Sequence, residues 1–194
     1  MNPAATTVLP TEFGRFNFSV YLDSDNKEHI ALWMGDFSDT QSVLTRIHSE
    51  CITGEVFHSL TCDCGPQLIE SLKKIGDQGR GVLVYLRQEG RGIGLLNKIK
   101  AYELQKQGMD TLEANSALGF PVDARNYRVA VEILQNLGVQ SVTLLTNNPD
   151  KVAQLEILGM VVTEHIPLEI PPNGVNNFYL KTKQQKMGHW LTQI

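Results

Sequence analysis

The chain has 194 residues, of which 42% are hydrophobic, and its formal net charge at pH 7 is −4. This length and apolar content suit one compact domain and exclude a large multidomain assembly. The acidic balance argues against a broadly basic nucleic-acid-binding surface, so any bound anion must be met by local cations. Because no apolar run approaches the roughly 20 residues of a membrane span and the first ten residues do not resemble a signal peptide, we expect a cytoplasmic protein without a membrane partner.

The amino-terminal third is predicted to be rich in strands. Apolar and polar residues alternate over residues 16–20, and residues 29–34 and 43–48 have the composition of two further strands. After Cys64-Gly65, Pro66 suits a first helical position, and apolar residues follow it at helical spacing as far as Ile75. We predict that Gly76 and Gly79 end this short amphipathic helix.

The rest of the chain predicts alternating strands and helices. Residues 81–86 form an apolar run of strand length, and a helical pattern extends from Ile93 to Gly108. Further elements are predicted as a helix that Asp123 caps and Gly138 ends, a strand at 141–146, and a helix from Asn148-Pro149 to Gly159. The fold class is therefore α/β (α+β), a mixed sheet with flanking helices in one domain at 1–170, followed by a polar tail at 171–194 that we expect to be mobile.

All three cysteines of the chain, Cys51, Cys62 and Cys64, lie within fourteen consecutive positions. Their spacing fits neither a disulfide framework nor a redox CxxC motif, so metal binding is the better use. Three thiolates would leave the fourth position of a Zn²⁺ site open for catalysis. Two alternatives remain: His48 or His58 closes a structural Cys3His site, or the thiols pack as free cysteines.

Two further stretches suggest anion binding. Residues 86–94 place three glycines and two arginines, Arg87 and Arg91, directly after a buried strand, although the pattern is neither a P-loop nor a Rossmann fingerprint. Residues 119–125 end in Asp123 and Arg125, which could hold a phosphate at a helix N-terminus. The alternative for both is structural, as a tight turn with solvated arginines and as a plain helix cap.

Together these motifs resemble one family, GTP cyclohydrolase II, which opens the imidazole ring of GTP at the start of riboflavin synthesis. The resemblance extends over residues 9–187 and is carried by the blocks RIHSECITG (46–54), TCDCG (61–65), RQEGRGIGLLNK (87–98), AN (114–115), LGF (118–120) and LLTNNP (144–149). Several blocks in register are far more specific than any one alone. The resemblance implies one catalytic Zn²⁺ per chain on Cys51, Cys62 and Cys64, with Mg²⁺ on the GTP phosphates.

The resemblance also implies roles for other residues. The positions implied to bind GTP are Arg46, Ile47, His48, Ser49, Glu50, Gln67, Glu89, Gly90, Arg91, Thr111, Thr146 and Lys151, with a glutamate reading guanine. Asp123 matches a proposed acid/base residue, Arg125 a proposed nucleophile on the α-phosphorus, and Tyr102 a tyrosine that assists at the ring. An arginine does not easily lose its proton, so Arg125 suits a phosphate clamp at least as well as a nucleophile.

The implied products are formate, pyrophosphate and a diaminopyrimidinone ribosylphosphate. We expect a monofunctional enzyme, because the chain has no room for the synthase domain that many relatives carry, and the resemblance implies a homodimer. Rival hypotheses are a nucleotide-binding regulator without turnover, a related enzyme that stops at the formamide or takes another guanine nucleotide, and a small zinc-stabilised nucleic-acid module. The acidic balance disfavours the last of these.

Overall fold

The computed structural model describes residues 1–121 and 123–194. Its first elements are four strands, β1 (Ala5–Thr11), β2 (Gly14–Leu22), β3 (Glu28–Met34) and β4 (Val43–Ser49). The β-rich amino-terminal third is thus confirmed. The sequence did not predict β1, because almost every side chain of this edge strand is exposed and its apolar residues do not alternate with polar ones.

The remaining elements alternate between helices and strands. In chain order they are α1 (Ile52–Glu55), α2 (Cys64–Gln78), β5 (Gly81–Leu86), a 3-10 turn (Glu89–Gly92), α3 (Gly94–Lys106), α4 (Thr111–Ala117), α5 (Arg128–Asn136), β6 (Ser141–Leu145), α6 (Pro149–Ile157), β7 (Val161–Ile166) and α7 (Asn177–Met187). The predicted helix after Pro66 is confirmed, but it runs through Gly76 and ends only where Gly79 takes a left-handed φ of 67°. Asn148 caps α6 as predicted.

The strands form one mixed sheet of order β1-β2-β3-β5-β4-β6-β7. The β1-β2-β3-β5 pairs are antiparallel, whereas β4 pairs in parallel with both β5 and β6, and β6 with β7. β4 lies between β5 and β6 in the sheet. The connection after β4 leads to β5 on one side, and the connection after β5 leads to β6 on the other side, so the two connections diverge at the carboxyl ends of these strands. Such a switch point is where open α/β sheets bind ligands.

The sheet is covered on both faces, which confirms the predicted α/β class. One face packs against α5 and α6 through residues such as Ile47, Ile133 and Leu155, and the other packs against α2 through Leu83 and Ile75. Continuous burial explains why β5 is an unbroken apolar run, whereas β4 is buried as continuously but carries Thr45, Arg46 and His48 among its apolar residues. No helix in the described ranges is long and apolar enough to span a bilayer.

Two local predictions need correction. Asp123 does not cap a helix: α5 begins five residues later at Arg128, and the Asp123 carboxylate instead accepts hydrogen bonds from Arg125. The predicted stretch 119–125 also contains Val122, which lies outside the described residues. Residues 171–194, predicted as a polar tail, contain helix α7, whose sequence did not show a clear apolar stripe.

Candidate functional site

A cavity of about 300 Å³ opens at the carboxyl ends of the parallel strands. It brings together all three cysteines and almost all of the other predicted site residues. The predicted residues that line it are Arg46, His48, Ser49, Glu50, Cys51, Cys62, Cys64, Gln67, Glu89, Gly90, Arg91, Tyr102, Thr111, Arg125, Thr146 and Lys151. Two lie beside it: Ile47 packs in the core and contributes its carbonyl, and Asp123 reaches the cavity through Arg125.

The three thiol sulfurs form a compact cluster. Their Sγ atoms all lie within 4.8 Å of one another, and the Cys51 and Cys62 sulfurs are 3.7 Å apart. Two thiolates on one tetrahedral zinc, with Zn–S bonds of about 2.3 Å, would be about 3.8 Å apart. Because the cysteines are free and the spacing matches, the donor set fits Zn²⁺.

The surroundings of the cluster are packed around it. Gly54 faces the sulfurs so closely that a Cβ there would lie 2.7 Å from Cys62 Sγ and 3.4 Å from Cys51 Sγ. A Cβ on Gly65 would lie 2.4 Å from the Gly54 carbonyl oxygen. These two glycines, at the start of α1 and of α2, therefore allow the two helices to converge on the thiols.

Histidine does not complete the cluster. The metal-ligand grouping found in the described part of the chain contains the three cysteines alone. The His48 ring stacks on Tyr85, and its Nε2 atom lies 2.8 Å from Glu55 Oε1, which also accepts a hydrogen bond from the Cys51 amide. His58 is exposed. The geometry of the described residues thus argues against the Cys3His alternative, and a zinc ion held by these three thiols alone would keep a fourth position open.

Lys98 is a site residue to which the sequence analysis gave no role. It is buried on α3, and its Nζ atom donates to Cys51 Sγ (3.1 Å), Thr53 Oγ1 (2.8 Å) and Glu89 Oε1 (2.8 Å). Hydrogen bonds from Cys62 and Cys64, with help from Lys98, hold the pKa of Cys51 well below its usual range. A thiolate and a lysine cation are therefore paired at the base of the cavity.

Glu89 is held by the chain itself. Its Oε1 atom accepts from Lys98 Nζ and from the Gly90 amide, and its Oε2 atom accepts from the Ile52 amide at 2.7 Å. A carboxylate offers about four acceptor positions, so only one remains, on Oε2. A two-bond contact from Glu89 to guanine therefore requires one of these partners to give way.

The second half of the cavity is cationic. Arg46 in the middle of β4 donates to Leu145 O (2.9 Å) and to Gln67 Oε1 (2.6 Å), and Lys151 on α6 donates to Ile47 O at 2.7 Å. Burial lowers the pKa of Arg46 to about 10, which leaves it charged at neutral pH. Burial, followed by the charges of Arg46 and Arg125, lowers the pKa of Lys151 well below the ordinary lysine value. An anion bound here would favour the charged forms of Arg46, Arg125 and Lys151.

The glycine-rich loop contributes Arg91. Gly90 and Arg91 both adopt left-handed backbone, with φ of 62° and 59°, and among the described residues Arg91 NH1 is buried without a hydrogen-bond partner. A Cβ on Gly92 would meet the Ala124 carbonyl oxygen at 2.8 Å. The loop thus packs directly on the segment that carries Asp123 and Arg125, and Arg91, which lines the cavity, keeps one buried guanidinium nitrogen unpaired within the described chain.

Asp123 and Arg125 form one unit. Arg125 Nε lies 2.9 Å from Asp123 Oδ1 and 3.0 Å from Oδ2, and Arg125 NH2 also donates to Oδ2. Burial opposes the charged form of both side chains. The contact with Arg125 nevertheless lowers the pKa of Asp123, and Tyr127 together with Asp123 raises the pKa of Arg125 above its ordinary value. Arg125 is thus a permanent cation whose orientation Asp123 fixes.

The carboxy-terminal segment, which the sequence analysis predicted only as a mobile polar tail, forms a further wall of the cavity. Its lining residues are Val175, Phe178, Tyr179, Lys183, Met187, His189 and Leu191. Lys183 Nζ donates to Asp63 Oδ1 at 2.7 Å, and Asp63 Oδ2 accepts from Gln67 Nε2 at 2.7 Å. A chain of contacts therefore runs from α7 through the loop between Cys62 and Cys64 to Gln67 and Arg46.

The sequence offered little signal for these contacts. Lys183 and Asp63 are 120 residues apart, and Lys98 and Cys51 are 47 apart. Neither pair has a spacing that local periodicity can interpret, since such pairing depends on the packing of distant elements. Asp63 was the one indication in the sequence of such a pair, because a carboxylate between two candidate metal ligands needs a counter-charge when it is buried.

The fold and the cavity define an α/β protein with a concave site, in which a thiol cluster compatible with a metal ion lies beside buried cations. Comparison with known proteins identifies the family: the chain belongs to the GTP cyclohydrolase II family, whose sequence profile matches residues 2–167. It is an enzyme of that type, of riboflavin biosynthesis. The family resemblance stated from the sequence is thereby confirmed.

Individual relatives agree with this result. A protein named GTP cyclohydrolase-2 from Neisseria meningitidis serogroup B is 53% identical over 193 residues, which is 100% of this chain and 98% of the relative. The riboflavin biosynthesis protein RibBA of Bacillus mycoides is 56% identical over 184 residues, 94% of this chain but 46% of the relative. A solved two-domain 3,4-dihydroxy-2-butanone 4-phosphate synthase from A. baumannii aligns with a TM-score of 0.46 at 19% identity, over 85% of this chain and 40% of that one. A likeness of that size carries no information about the site.

Proposed function

We propose that this enzyme is a zinc-dependent GTP cyclohydrolase II that converts GTP and water into formate, pyrophosphate and 2,5-diamino-6-(5-phosphoribosylamino)pyrimidin-4(3H)-one. The observation that carries the proposal is the shared cavity, where a three-thiol cluster and a cationic wall face the same space. Opening a purine ring needs an activated water, and holding a triphosphate needs local cations. Water enters once for ring opening, once for deformylation and once for cleavage of the α-β phosphate bond.

Cys51, Cys62 and Cys64 would hold the zinc ion through their sulfurs. When bound, Zn²⁺ would supply a Lewis acid with an open position, which lowers the pKa of water towards neutrality for attack at C8. Lys98 donates to Cys51 Sγ and compensates negative charge among the thiolates, while Glu89 and Thr53 keep the lysine in place. Tyr102 on α3 lies beside this lysine, with Lys98 Nζ 5.8 Å from the centre of the tyrosine ring. From there Tyr102 could assist the reaction at the guanine ring.

The triphosphate is assigned to the cationic wall. Arg46, Arg91, Arg125 and Lys151 line one part of the cavity, and Thr146 adds a hydroxyl. We propose that Mg²⁺ accompanies the phosphates, because Mg²⁺ is usually held by the phosphates of a nucleotide together with one or two carboxylates rather than by an all-protein site. Thr111, at the first position of α4, and Ser49 and Glu50, at the end of β4, complete the proposed substrate contacts.

We assign Arg125 the role of a clamp on the α-phosphate and Asp123 that of the residue that orients it. The raised pKa of Arg125 opposes loss of a proton, which a nucleophilic arginine would require. The same guanidinium can stabilise charge that develops as pyrophosphate leaves. Asp123 has a lowered pKa and remains ionised, so it acts more readily as an orienting anion than as a general acid.

Three further properties are proposed from the family. We infer a homodimer, which the exposed apolar residues Leu95, Leu96 and Ile99 on α3 would suit, and a cytoplasmic location. We also propose that nucleic acids and membranes are not partners, in keeping with the net charge of −4. A regulator without turnover is the less favoured alternative, because the thiol cluster and the Asp123–Arg125 unit are both assembled.

The proposal is tested by product analysis on purified protein with GTP and Mg²⁺. We expect equal amounts of formate and pyrophosphate, together with a diaminopyrimidine product identified by mass spectrometry. Cys62→Ser removes one ligand and should abolish formate release, whereas Ser59→Ala, in the same loop, should leave it unchanged. Binding of GTP without formate from the wild-type protein would mean that the ring-opening assignment is wrong, and release of a formamide product would favour the related enzyme that stops there.

A further inference from the structure

The segment after α7 fixes the position of His189. Gly188 ends the helix in the left-handed conformation with φ of 64°, and the His189 amide donates to the Lys183 carbonyl at 3.1 Å. The next amide, that of Trp190, donates to the Asn147 carbonyl at 2.8 Å, and the Trp190 ring stacks on His165 with ring centres 4.2 Å apart. The backbone is thus fixed at His189 and at the residue that follows it.

The imidazole of His189 lines the cavity, and its Nε2 atom is buried without a hydrogen-bond partner among the residues that the structure describes. A buried polar atom left unpaired costs about 1–3 kcal/mol, so native structures rarely keep one without a reason. The neighbouring lining residues Thr146 and Asn147 follow strand β6. A ligand that enters this part of the cavity would satisfy the atom.

The charges around His189 indicate what kind of ligand that is. Four cations act on its ring: Lys183 from α7, Arg125 from the loop before α5, Arg91 from the 3-10 turn and Lys151 from α6. Burial first, and then these four charges, lower the pKa of His189 to about 3, so the ring is neutral in the protein alone. Lys183 and Arg125 have aspartate partners, whereas Lys151 donates to a carbonyl and Arg91 NH1 is unpaired in the described chain.

We propose that His189 is a phosphate-binding residue, whose Nε2–H donates to the triphosphate chain of GTP where these four cations converge. The inference rests on the proposed function and adds a residue to the substrate contacts, from a segment outside the matched family region 2–167. A polyanion at this point reverses the local electrostatic balance and favours protonation of the ring, which strengthens the hydrogen bond by making it charge-assisted.

The test compares binding of inorganic pyrophosphate and of guanosine to the zinc-loaded, full-length protein by calorimetry. His189→Leu removes the donor, and His189→Gln keeps an amide donor. Since a hydrogen bond to a charged group contributes about 1.5–3 kcal/mol, we expect His189→Leu to weaken pyrophosphate binding by roughly tenfold or more, with a smaller loss for His189→Gln. Guanosine binding should be unchanged in both variants.

The control variant is Lys181→Met, which removes an exposed charge from α7, the helix that precedes His189, and should leave both dissociation constants unchanged within about twofold. Equal weakening of pyrophosphate and guanosine by His189→Leu would show a structural role for the segment and overturn the inference, as would unchanged binding of both. Wild-type protein that binds neither ligand would overturn the proposed function and this inference together. If the wild-type protein binds both ligands and His189→Leu binds both with the same affinity as the wild type, the inference alone is overturned.

Discussion

At the scale of single residues, the closest packing in the site surrounds the three sulfurs. Gly54→Ala would place a methyl group 2.7 Å from Cys62 Sγ, which real contacts do not tolerate. The loop must shift, at a cost of about 1–3 kcal/mol, and the tetrahedral arrangement of thiolates is lost with it. We expect the variant to fold but to contain far less zinc than the wild-type protein, as measured by atomic emission on dialysed samples.

Gly79→Ala is the matched control for this prediction. It strains a left-handed backbone position at the end of α2, where a Cβ would meet no atom within 4 Å. It should therefore lose about 1–2 kcal/mol of stability and keep its zinc. Equal zinc content in both variants would contradict the role given to Gly54.

For Lys151 we predict that one substitution stabilises the ligand-free protein and weakens its binding of GTP. Its pKa is depressed by burial and by Arg46 and Arg125, so between that pKa and the ordinary value of about 10.4 the unfolded chain binds a proton that the folded chain does not. The free energy of unfolding therefore rises with pH across this window. The destabilisation that results from burying Lys151 grows as the pH falls. Lys151→Met removes the penalty.

We expect ligand-free Lys151→Met to be more stable near neutral pH by on the order of 1 kcal/mol, which would raise the Tm by about 2–4 °C. Its stability should also vary less with pH, and it should bind GTP more weakly than the wild-type protein. Thermal unfolding over a range of pH, with and without GTP, measures all three. A Tm lower than wild type at every pH would mean that the Ile47 carbonyl contact outweighs the buried charge.

At the scale of elements, α7 is held by two lysine–aspartate pairs one turn apart. Lys183 pairs with Asp63 between two of the cysteines, and Lys186 pairs with Asp110, which caps α4 beside Thr111. Lys183→Met would leave Asp63 buried without its cation, and breaking a buried pair in this way costs about 3–5 kcal/mol. We expect faster proteolysis within residues 171–194 and a higher KM for GTP. Lys181→Met should change neither.

The mobility of residues 171–194 stays a prediction at this scale. If the segment closes over the nucleotide, a nonhydrolysable GTP analogue should slow its proteolysis and its amide hydrogen exchange, because closure buries Phe178 and Tyr179 against the ligand. The exchange of β5, which is buried in the sheet with or without ligand, provides the internal reference. Identical cleavage rates with and without the analogue would show that the wall is permanent.

The elements that the sequence predicted are those with a strong local signal. Strand β5 was recognisable as an apolar run and β4 by its strand-like composition, and α2 and α6 had a proline or an asparagine at the amino end and a clear stop. The elements that it missed, β1, β7, α1, α4 and α7, are short or largely exposed, and tertiary contacts rather than local pattern specify them. The Asp123 cap was wrong because the carboxylate prefers Arg125 to a helix terminus.

At the scale of the whole molecule, the order of the sheet brings distant motifs together. The thiol loop follows β4, the glycine-rich loop follows β5, and Thr146 follows β6, and these parallel strands end at one edge. The cysteines could be predicted as ligands because their chemistry is legible in the sequence. Their pairing with Lys98 and the wall built by α7 could not, since both depend on how the sheet and helices pack.

The same packing reconciles an acidic protein with an anionic substrate. Although the net charge is −4, arginine and lysine side chains from β4, α6 and the glycine-rich loop converge on one cavity. Cations concentrated in a partly buried site act on a ligand more strongly than the same charges spread over a surface. On the proposed function, recognition of GTP is therefore a property of the assembled sheet edge rather than of the composition.

The central claim is that the three-thiol cluster is the metal centre of ring opening. The most direct test strips the protein of metal, restores Zn²⁺ stepwise, and measures bound zinc and the rate of formate release from GTP on the same samples. We predict a formate rate that rises in proportion to bound zinc and levels off at one ion per chain. Formate release at the full rate from the stripped protein, or none from the fully loaded one, would contradict the claim.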